Sequence, residues 1–403
     1  MRVLMIAPTS FFSDYGGHIR ILEEMRALGR LGVEVAVVTY YMGKDVPGLD
    51  IRRTSPLPWH TDYEVGSSRH KIAFDAYLAV RSMKEAFRFR PHLIHGHMHE
   101  GALIGSVLAR LMGVPLVFDY QGSLTAEMVD HHFLNPRGAL YPWAYRAESF
   151  ITRRLPHAIL TSSSQATALL RDQFEVPPER LHALPDCADA SQFDPARFLH
   201  YTPATHPLRM IYNIPADTTI IGYLGLLTDY QGIPHLIESA VELRRRGENV
   251  HFLVMGYPNV EHYQTIAGLR GVEDMVTFTG RVPFSEAPFY LSACDIAVAP
   301  KMSTSEGSGK LLNYMAMALP IVAYDTAVNR EYLGDLGVYA PPSDVDAFTA
   351  AIHELVHNPS LRMELGLRLR ERVREQFSWS AAAERILNIY RNCSHLRKTQ
   401  GKI

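Results

Sequence analysis

Short apolar runs alternate with helically spaced apolar residues along the first half of the chain. Residues 3–7 form an unbroken apolar run of strand length, and apolar residues between 21 and 31 recur at helical spacing. Gly32 ends that helix, and the Val-rich residues 33–39 predict a second strand. Apolar strands that alternate with amphipathic helices are typical of a parallel sheet covered on both faces. We therefore predict a doubly wound α/β domain.

The alternation continues through the first half of the chain and starts again after an interruption. The first series predicts further strands at 93–95, 115–118, 158–161 and 181–184, and helices near 70–88, 101–112, 138–155 and 164–174. The second series predicts strands at 220–223, 251–255, 276–278, 296–299 and 321–323, and helices near 233–245, 285–292, 310–318, 344–356, 360–375 and 380–395. The stretch 201–209 predicts the connection between two doubly wound domains. Their ligands are expected beyond the carboxyl ends of the strands, in a cleft between the two sets of loops.

The composition is that of a globular protein with a near-zero net charge. The 403 residues are 47% hydrophobic and 20% charged, which suffices for a buried core. Forty Lys and Arg against 42 Asp and Glu argue against a nucleic-acid-binding protein, which needs a basic excess. Cys187, Cys294 and Cys393 share no close spacing. We therefore expect neither a disulfide scaffold nor a cysteine zinc site, and a reducing cytoplasm fits.

Two glycine-containing loops lie between a predicted strand and a predicted helix. Gly16 and Gly17 follow the first strand, where adjacent glycines let the backbone approach a ligand closely; a simple turn is the alternative. The segment 306–310, with the sequence EGSGK, opens a helix of the second series. Its amides and lysine favour a phosphate, and its glutamate suits sugar hydroxyls. The segment does not match GxxxxGK[ST], which excludes a P-loop.

Polar residues also follow two strands of the first series. The run 95–100, HGHMHE, is expected to be a loop because of its glycine and Gly101. We favour hydrogen-bonding histidines near the cleft, His97 among them, over metal ligands, because the sequence places no further ligand cluster beside them. Asp119 and Gln121 follow the next strand, where polar side chains are well placed for a substrate. An exposed turn is the alternative there.

Motifs along nearly the whole chain resemble those of the GT-B-fold glycosyltransferases, specifically glycosyltransferase family 4 with a family 1-type C-terminal domain. The glycine pair at 16–17 and LGVEV at 31–35 are similar to the family's first loop and second strand, and GVPLV at 113–117 to its GxPxV strand. LPD at 184–186 resembles the junction that closes the first domain. The block 306–323, with YMA and PIV, resembles the donor-binding segment E…EAMAxGxPVV and is the most specific match.

The resemblance implies a GT-B fold and a retaining transfer of a sugar from a nucleoside-diphosphate sugar, with no bound metal and no resident cofactor. It implies an acceptor-side domain at 1–200, a donor-side domain at 208–378 and a helix at 379–403 that crosses back to the first domain. The implied catalytic residues are Glu306, Lys310 and Gln121. The implied donor-binding residues are Gly16, Gly17, Gly225, Arg281, Gly307, Ser308, Gly309 and Asn313, and the implied acceptor-side residues are His97 and Asp119.

Several positions depart from the family pattern. Asn313 stands where the family has a second Glu that holds the ribose, and Gln121 stands where it has a His. Leu226 and Gln231 replace an Arg and a Lys that neutralise the diphosphate, which leaves Lys310 for that role, with Lys301 and Arg281 as alternatives. These departures leave two alternatives to a transferase: a GT-B-fold sugar-nucleotide epimerase, or a catalytically weak sugar-nucleotide-binding protein.

Membrane contact is a separate hypothesis. The apolar stretch 101–118 is interrupted at Pro115, which predicts a buried helix and a buried strand rather than a membrane span. Basic and aromatic residues around the predicted helix at 138–155 suit an anionic surface, and a solvated helix face is an equally good interpretation. They are Arg137, Trp143, Arg146, Arg153 and Arg154. We expect a cytoplasmic protein with an unidentified acceptor, no nucleic-acid partner and, in this hypothesis, a peripheral contact at the inner membrane face.

Overall fold

The first half of the chain folds around a seven-stranded parallel sheet with the order β3-β2-β1-β4-β5-β6-β7. The computed structural model describes residues 1–13, 16–57, 71–130, 133–302 and 308–400. The strands are β1 (Arg2–Ala7), β2 (Glu34–Thr39), β3 (Asp50–Arg53), β4 (Leu93–His97), β5 (Leu116–Tyr120), β6 (Ala158–Thr161) and β7 (Leu181–Ala183). The helices are α1 (Gly16–Arg30), α2 (Lys71–Phe89), α3 (Met98–Met112), α4 (Leu124–Asp130), α5 (Tyr141–Arg154) and α6 (Ser164–Asp172), with short 3₁₀ turns at Pro178–Arg180 and Pro195–Phe198.

The second half forms a six-stranded parallel sheet with the order β10-β9-β8-β11-β12-β13. Its strands are β8 (Thr219–Leu224), β9 (Val250–Met255), β10 (Val276–Gly280), β11 (Ile296–Ala299), β12 (Ile321–Tyr324) and β13 (Val338–Ala340). The helices are α7 (Pro207–Ile211), α8 (Ile233–Arg245), α9 (Val260–Leu269), α10 (Ala287–Leu291), α11 (Gly309–Ala316), α12 (Ala327–Leu333), α13 (Val345–His357), α14 (Pro359–Gln376) and α15 (Trp379–Gln400), with 3₁₀ turns at Asp229–Gln231 and Gly334–Leu336.

These two parallel sheets confirm the predicted pair of doubly wound α/β units. In each sheet the strand order reverses at one point, between β1 and β4 in the first and between β8 and β11 in the second. Ligands of such sheets bind at that switch point, beyond the carboxyl ends of the strands. The glycine pair after β1 and the segment after β11 therefore both lie where a ligand is expected. The boundaries that the resemblance implied between domains stay predictions.

The last helix returns to the first half of the chain and packs on α1. Trp379, Ile386 and Tyr390 of α15 are buried in the same apolar cluster as Met5 and Leu28 of the first unit. The hydroxyl of Tyr390 lies 2.6 Å from Nδ1 of His95, far along the chain in β4. The C-terminal helix therefore ties the end of the chain to the wall of the first sheet.

One local prediction was wrong, and several elements were not predicted. The run 95–100 was expected to be a loop, but β4 continues through His97 and α3 starts at the next residue. Gly96 permits this turn, because a Cβ there would lie 2.6 Å from the backbone of Gly101 and Ala102. The short edge strands β3 and β13 and the helices α4, α9 and α12 had no prediction. Among the described residues, no helix is long and apolar enough to span a bilayer.

Candidate active site

A cavity of about 670 Å³ lies between the carboxyl ends of the two sheets. The first sheet contributes the start of α1 and the segment after β5, and the second contributes the segment after β8 and the start of α11. A cavity of this size matches a typical small-molecule site. Residues of the predicted site that line it are Gly16, Gly17, Gln121, Gly225, Ser308, Gly309, Lys310 and Asn313.

Helix α11 begins at the cavity with Gly309, and its first residues Gly309 and Lys310 both line it. Ser308, the residue before the helix, is buried, and its Oγ has no hydrogen-bond partner among the described residues. A buried hydroxyl without a partner costs free energy unless a ligand or water satisfies it. A Cβ on Gly309 would lie 3.5 Å from the carboxylate of Asp186, which belongs to the opposite wall. Helix α11 therefore starts in a narrow, polar part of the cleft.

The ammonium of Lys310 is held on the second-domain wall. Its Nζ donates hydrogen bonds to Tyr223 Oη at 3.0 Å and to Gln231 Oε1 at 2.8 Å, and it lies 4.3 Å from the centre of the Tyr223 ring. Both bonds are to neutral acceptors, so the positive charge is positioned without being cancelled by them. A Cβ on Gly225 would lie 2.7 Å from this Nζ, so the glycine leaves room for the cation.

Gln121 presents an amide at the opposite wall. Its Nε2 donates to Asp119 Oδ2 at 2.8 Å, which fixes the orientation of the side chain. Its Oε1 would be 2.9 Å from a Cβ on Gly17, so a glycine is needed where α1 passes this amide. Asp119 itself is fully buried and lies behind the cavity wall.

A buried ion network lies next to Gln121 and is centred on Arg20 of α1, which lines the cavity together with Asp186. The Arg20 guanidinium donates to Asp119 Oδ1 at 2.8 Å, to Asp186 Oδ1 at 2.9 Å and to the carbonyl of Leu184 at 3.1 Å. Glu24 Oε1 lies 3.2 Å from Arg20 Nε. Burial by itself lowers the pKa of Arg20, but the neighbouring carboxylates raise it well above its usual value.

The two carboxyls closest to Arg20 respond in opposite directions. Burial tends to raise the pKa of Asp119, but Arg20 and a hydrogen bond from His97 hold it well below its usual value. Burial, and then the charge of Asp119, raise the pKa of Glu24 well above its usual value. Neither oxygen of Glu24 has a hydrogen-bond partner among the described residues. Asp119 is therefore the carboxyl that stays ionised beside Arg20, and Glu24 is the carboxyl that binds a proton more tightly than usual.

The two histidines of β4 complete this network. His97 Nδ1 lies 3.1 Å from Asp119 Oδ2, and the His95 and His97 rings stack with centroids 4.4 Å apart. Both rings are fully buried. Burial, and the neighbouring His97, lower the pKa of His95 well below its usual value.

Glu24, His95, His97 and Asp119 are close enough together to hold a metal ion. Arg20 occupies the Asp119 oxygens, which disfavours a second cation there.

The structure thus separates the predicted site residues into groups. The second-domain residues Lys310, Ser308 and Asn313 share one wall of the cavity with Gly225 and Gly309. His97 and Asp119 are buried behind the opposite wall, with Gln121 between Asp119 and the cavity. Arg281 is exposed and does not line the cavity. Its guanidinium lies over the Tyr257 ring, 5.0 Å from the ring centre. Glu306 and Gly307 lie outside the described residues.

Sequence reasoning missed Arg20, the centre of the first-domain network. An arginine in an amphipathic helix is usually solvated, and its partners Asp119 and Asp186 are 99 and 166 residues away. One signal was available: Arg20 and Glu24, spaced i and i+4, fall beside Ile21 and Met25 on the buried face of α1. An ion pair on the apolar face of a helix indicates burial rather than solvation.

Two family models match the chain, one on each sheet. The model for the glycosyl transferase 4-like domain matches residues 16–187, and the model for glycosyl transferases group 1 matches residues 206–376. The chain is a GT-B glycosyltransferase of these families. The family identification and the two-sheet fold confirm the resemblance and the enzyme class inferred from sequence.

Curated relatives of this glycosyltransferase cover most of its length. It is 29% identical to alpha-D-kanosaminyltransferase of Streptomyces kanamyceticus over 77% of this chain and 80% of that protein. It is 24% identical to D-inositol 3-phosphate glycosyltransferase of Kineococcus radiotolerans over 94% of this chain and 91% of that protein.

Solved structures of low sequence identity share the fold of the glycosyltransferase. Sucrose-phosphate synthase from Thermosynechococcus elongatus aligns with a TM-score of 0.79 and 19% identity, over 97% of this chain and 98% of that one. Anabaena HepE in complex with UDP-glucose aligns with a TM-score of 0.75 and 14% identity, over 97% of this chain and 100% of that one.

Proposed function

We propose that this glycosyltransferase takes its sugar from a nucleoside-diphosphate sugar bound against the second-domain wall, and passes it to an acceptor on the first-domain side with retention of configuration and without a metal ion. The observation that carries the proposal is the position of Lys310. Its ammonium lies at the start of α11, between two neutral hydrogen-bond acceptors and beside the unpartnered hydroxyl of Ser308. Structural neighbours in complex with UDP and UDP-glucose support a nucleotide-sugar donor.

The chemistry needs stabilisation of a leaving diphosphate. As the bond between the anomeric carbon and the phosphate oxygen breaks, negative charge grows on the diphosphate. The acceptor oxygen bonds to the anomeric carbon, and its proton passes to the departing diphosphate. Fixed amides at a helix start and a positioned ammonium stabilise such charge without rearrangement. Lys310, Ser308 and the first amides of α11 supply these groups. A cation from the protein takes the place that a divalent metal has in other enzymes, which is why we propose metal independence.

The donor sugar and ribose have proposed partners on the same wall. Asn313 is buried one helical turn after Lys310 and faces the cavity, where its amide suits a ribose hydroxyl. Glu306 remains our prediction for the hydroxyls of the donor sugar.

Of the predicted polar residues on the first-domain side, Gln121 lines the cavity, whereas Asp119 and His97 do not. Asp119 accepts its amide hydrogen, and Arg20 and His97 hold Asp119 in turn. We therefore assign Asp119 and His97 to positioning of Gln121 rather than to direct contact with the acceptor. The alternative of an epimerase is not favoured, because the curated relatives are transferases.

A donor panel tests this function directly. UDP-, GDP-, ADP- and dTDP-sugars are titrated by calorimetry and then supplied with candidate acceptors, including 2-deoxystreptamine and inositol phosphate, in the presence and absence of EDTA. We expect one nucleotide class to bind and to be consumed only with acceptor, at the same rate with EDTA. The anomeric coupling constant of the product, read by NMR, should match that of the donor. Lys310→Ala should lose donor affinity and turnover, whereas Lys84→Ala on exposed α2 should not.

Each other outcome of this panel would indicate a different activity or a different mechanism. Consumption of donor without acceptor indicates an epimerase, and binding without turnover of any pair indicates a sugar-nucleotide-binding protein. Inversion of the anomeric configuration contradicts the retaining mechanism, and loss of rate with EDTA contradicts metal independence.

A further inference from the structure

Three neighbouring helices of the first domain expose apolar stripes on one side of the molecule. Helix α3 contacts both α2 and α5, and the buried sides of all three pack into one apolar cluster on a single face of the sheet. Their outer sides carry large apolar side chains with about half or more of their surface exposed. Six of these are Val80, Phe87, Val107, Leu111, Trp143 and Phe150. We call this surface the three-helix face.

The spacing shows that these side chains form stripes and are not scattered. Val107 and Leu111 are four residues apart on α3, and Val80 and Phe87 are seven apart on α2, as are Trp143 and Phe150 on α5. Residues at these spacings share one face of a helix. Soluble monomers seldom expose contiguous apolar patches of this kind unless they bind something.

On the same helices, basic side chains are exposed and acidic side chains have partners within the domain. Lys84, Arg88, Arg110, Arg146 and Arg154 are exposed among the apolar stripes. Every acidic side chain of α2, α3 and α5 instead turns inward to a partner in the same domain. These pairs are Asp75 with the Tyr40 hydroxyl at 2.6 Å, Glu85 with Arg52 at 2.9 Å, Glu100 with Lys71 at 2.6 Å, and Glu148 with the Thr125 hydroxyl at 2.6 Å. In these three helices the outer surface is therefore apolar and cationic.

We propose that the three-helix face docks the enzyme on an anionic lipid bilayer. Apolar side chains enter the interface while the cations meet lipid phosphates, the arrangement of interfacial amphipathic helices. Trp143, with Arg146 stacked 5.4 Å from its ring centre, is suited to the headgroup level. A second copy of the chain fits less well, because a two-fold contact places the same cations opposite one another without acidic partners from these helices.

The face also meets the cavity. Lys71 and Phe74 of α2 and Met98 of α3 line the cleft at the starts of these helices, on the first-domain side. Docking therefore brings the acceptor side of the cleft next to the bilayer, so that a membrane-borne acceptor enters from there. This last step rests on the proposed function, whereas binding to the bilayer does not.

Vesicle cosedimentation of the full chain tests the proposal. We expect binding to phosphatidylcholine vesicles that contain phosphatidylglycerol, and little to phosphatidylcholine alone. Since each cation near an anionic surface contributes about fivefold, Arg88→Glu with Arg110→Glu should weaken partitioning at least about 20-fold. Val107→Ser with Leu111→Ser should also weaken it.

Matched controls come from exposed residues of the second domain, Arg374→Glu for charge and Leu269→Ser for apolar surface, and both should bind as wild type. Unchanged binding in the three-helix variants, or equal binding of wild type to neutral vesicles, would overturn the proposal. So would a dimer in light scattering that Val107→Ser dissociates, since the face would then belong to a second copy. Nucleotide-sugar binding measured without vesicles reports separately on the proposed function.

Discussion

The two walls of the cleft use their charged groups in opposite ways. On the first-domain wall, Arg20 lines the cavity but is buried, and contacts with three carboxyls balance its charge. On the second-domain wall, Lys310 lines the cavity at the start of α11 and donates hydrogen bonds to neutral oxygens of Tyr223 and Gln231. A buried network of charges holds the structure of a wall, whereas a cation at a helix start acts on an anionic ligand bound there.

This contrast predicts different effects when a charged residue is removed from one wall or from the other. Removal of a charge behind the first wall should damage the fold, and removal of a charge on the second wall should damage donor binding while the fold survives. It also bears on Leu226 and Gln231, which stand where the family pattern has two cations. Gln231 accepts a hydrogen bond from Lys310, so an ammonium from another element reaches the place where the family lysine stands.

The largest expected effect comes from the centre of the buried network. Arg20→Leu leaves Asp119 without its cation, and an uncompensated buried charge of this kind costs about 3–5 kcal/mol of unfolding free energy. We expect a fall in Tm of roughly 10 °C in differential scanning calorimetry. Arg30→Leu is the control, because Arg30 on the same helix is exposed and lies 3.7 Å from Asp189. A wild-type Tm in Arg20→Leu would mean that the network does not support the first wall.

The second prediction concerns Lys310. Lys310→Ala should lower kcat/KM by about 100- to 1,000-fold, the range for loss of one group that stabilises transition-state charge. The Tm should stay near that of wild type, because Lys310 is only partly buried and lies at the cavity. Steady-state kinetics with the identified donor and a thermal melt of the same sample measure both. A large fall in Tm with little change in kcat/KM would reverse the contrast between the walls.

The third prediction moves the positive charge of Lys310 to another residue of the second-domain wall. In the Lys310→Ala background, Gln231→Lys returns an ammonium to the same part of the second wall from a different element. We expect recovery of about tenfold in kcat/KM, equivalent to about 1.4 kcal/mol of transition-state stabilisation. Gln231→Met in that background has similar length and no charge, so it should not rescue. Equal rescue by both would show that bulk, and not charge, was lost.

The positions of these elements could be predicted because apolar runs lie between clear breakers, which is why β6, β11 and α8 have the predicted bounds in the structure. The edge strand β3 could not be predicted in this way, because its sequence DIRR has one apolar residue and shows no buried alternation. His97 was placed in a loop because Gly96 reads as a breaker, whereas the close approach of α3 is the actual reason for that glycine.

In the candidate site, too, some residues could be predicted from the local sequence and others could not. Lys310 and Ser308 stand in a local motif at a helix start, so their place in the cleft could be predicted from spacing alone. The contact of Arg20 with Asp186 and that of Gln231 with Lys310 join residues that are distant in the chain, and no local pattern encodes these contacts. The burial of Asp119 and His97 was likewise missed, because a polar residue at a strand end faces either the ligand or the interior, and packing decides which.

The smallest predicted effect tests the protonation of the buried network. Burial and the charge of Asp119 raise the pKa of Glu24, so the stability that depends on its proton is fully present below the unfolded pKa, about 4.3. That stability is lost as the pH rises from there toward the folded pKa. Glu24→Gln stays neutral throughout, so its Tm should equal that of wild type near pH 4 and exceed it by a few degrees near pH 8. Glu34→Gln, at an exposed position, should show neither difference. An equal loss of Tm at both pH values would instead mean that Glu24 is ionised and paired with Arg20.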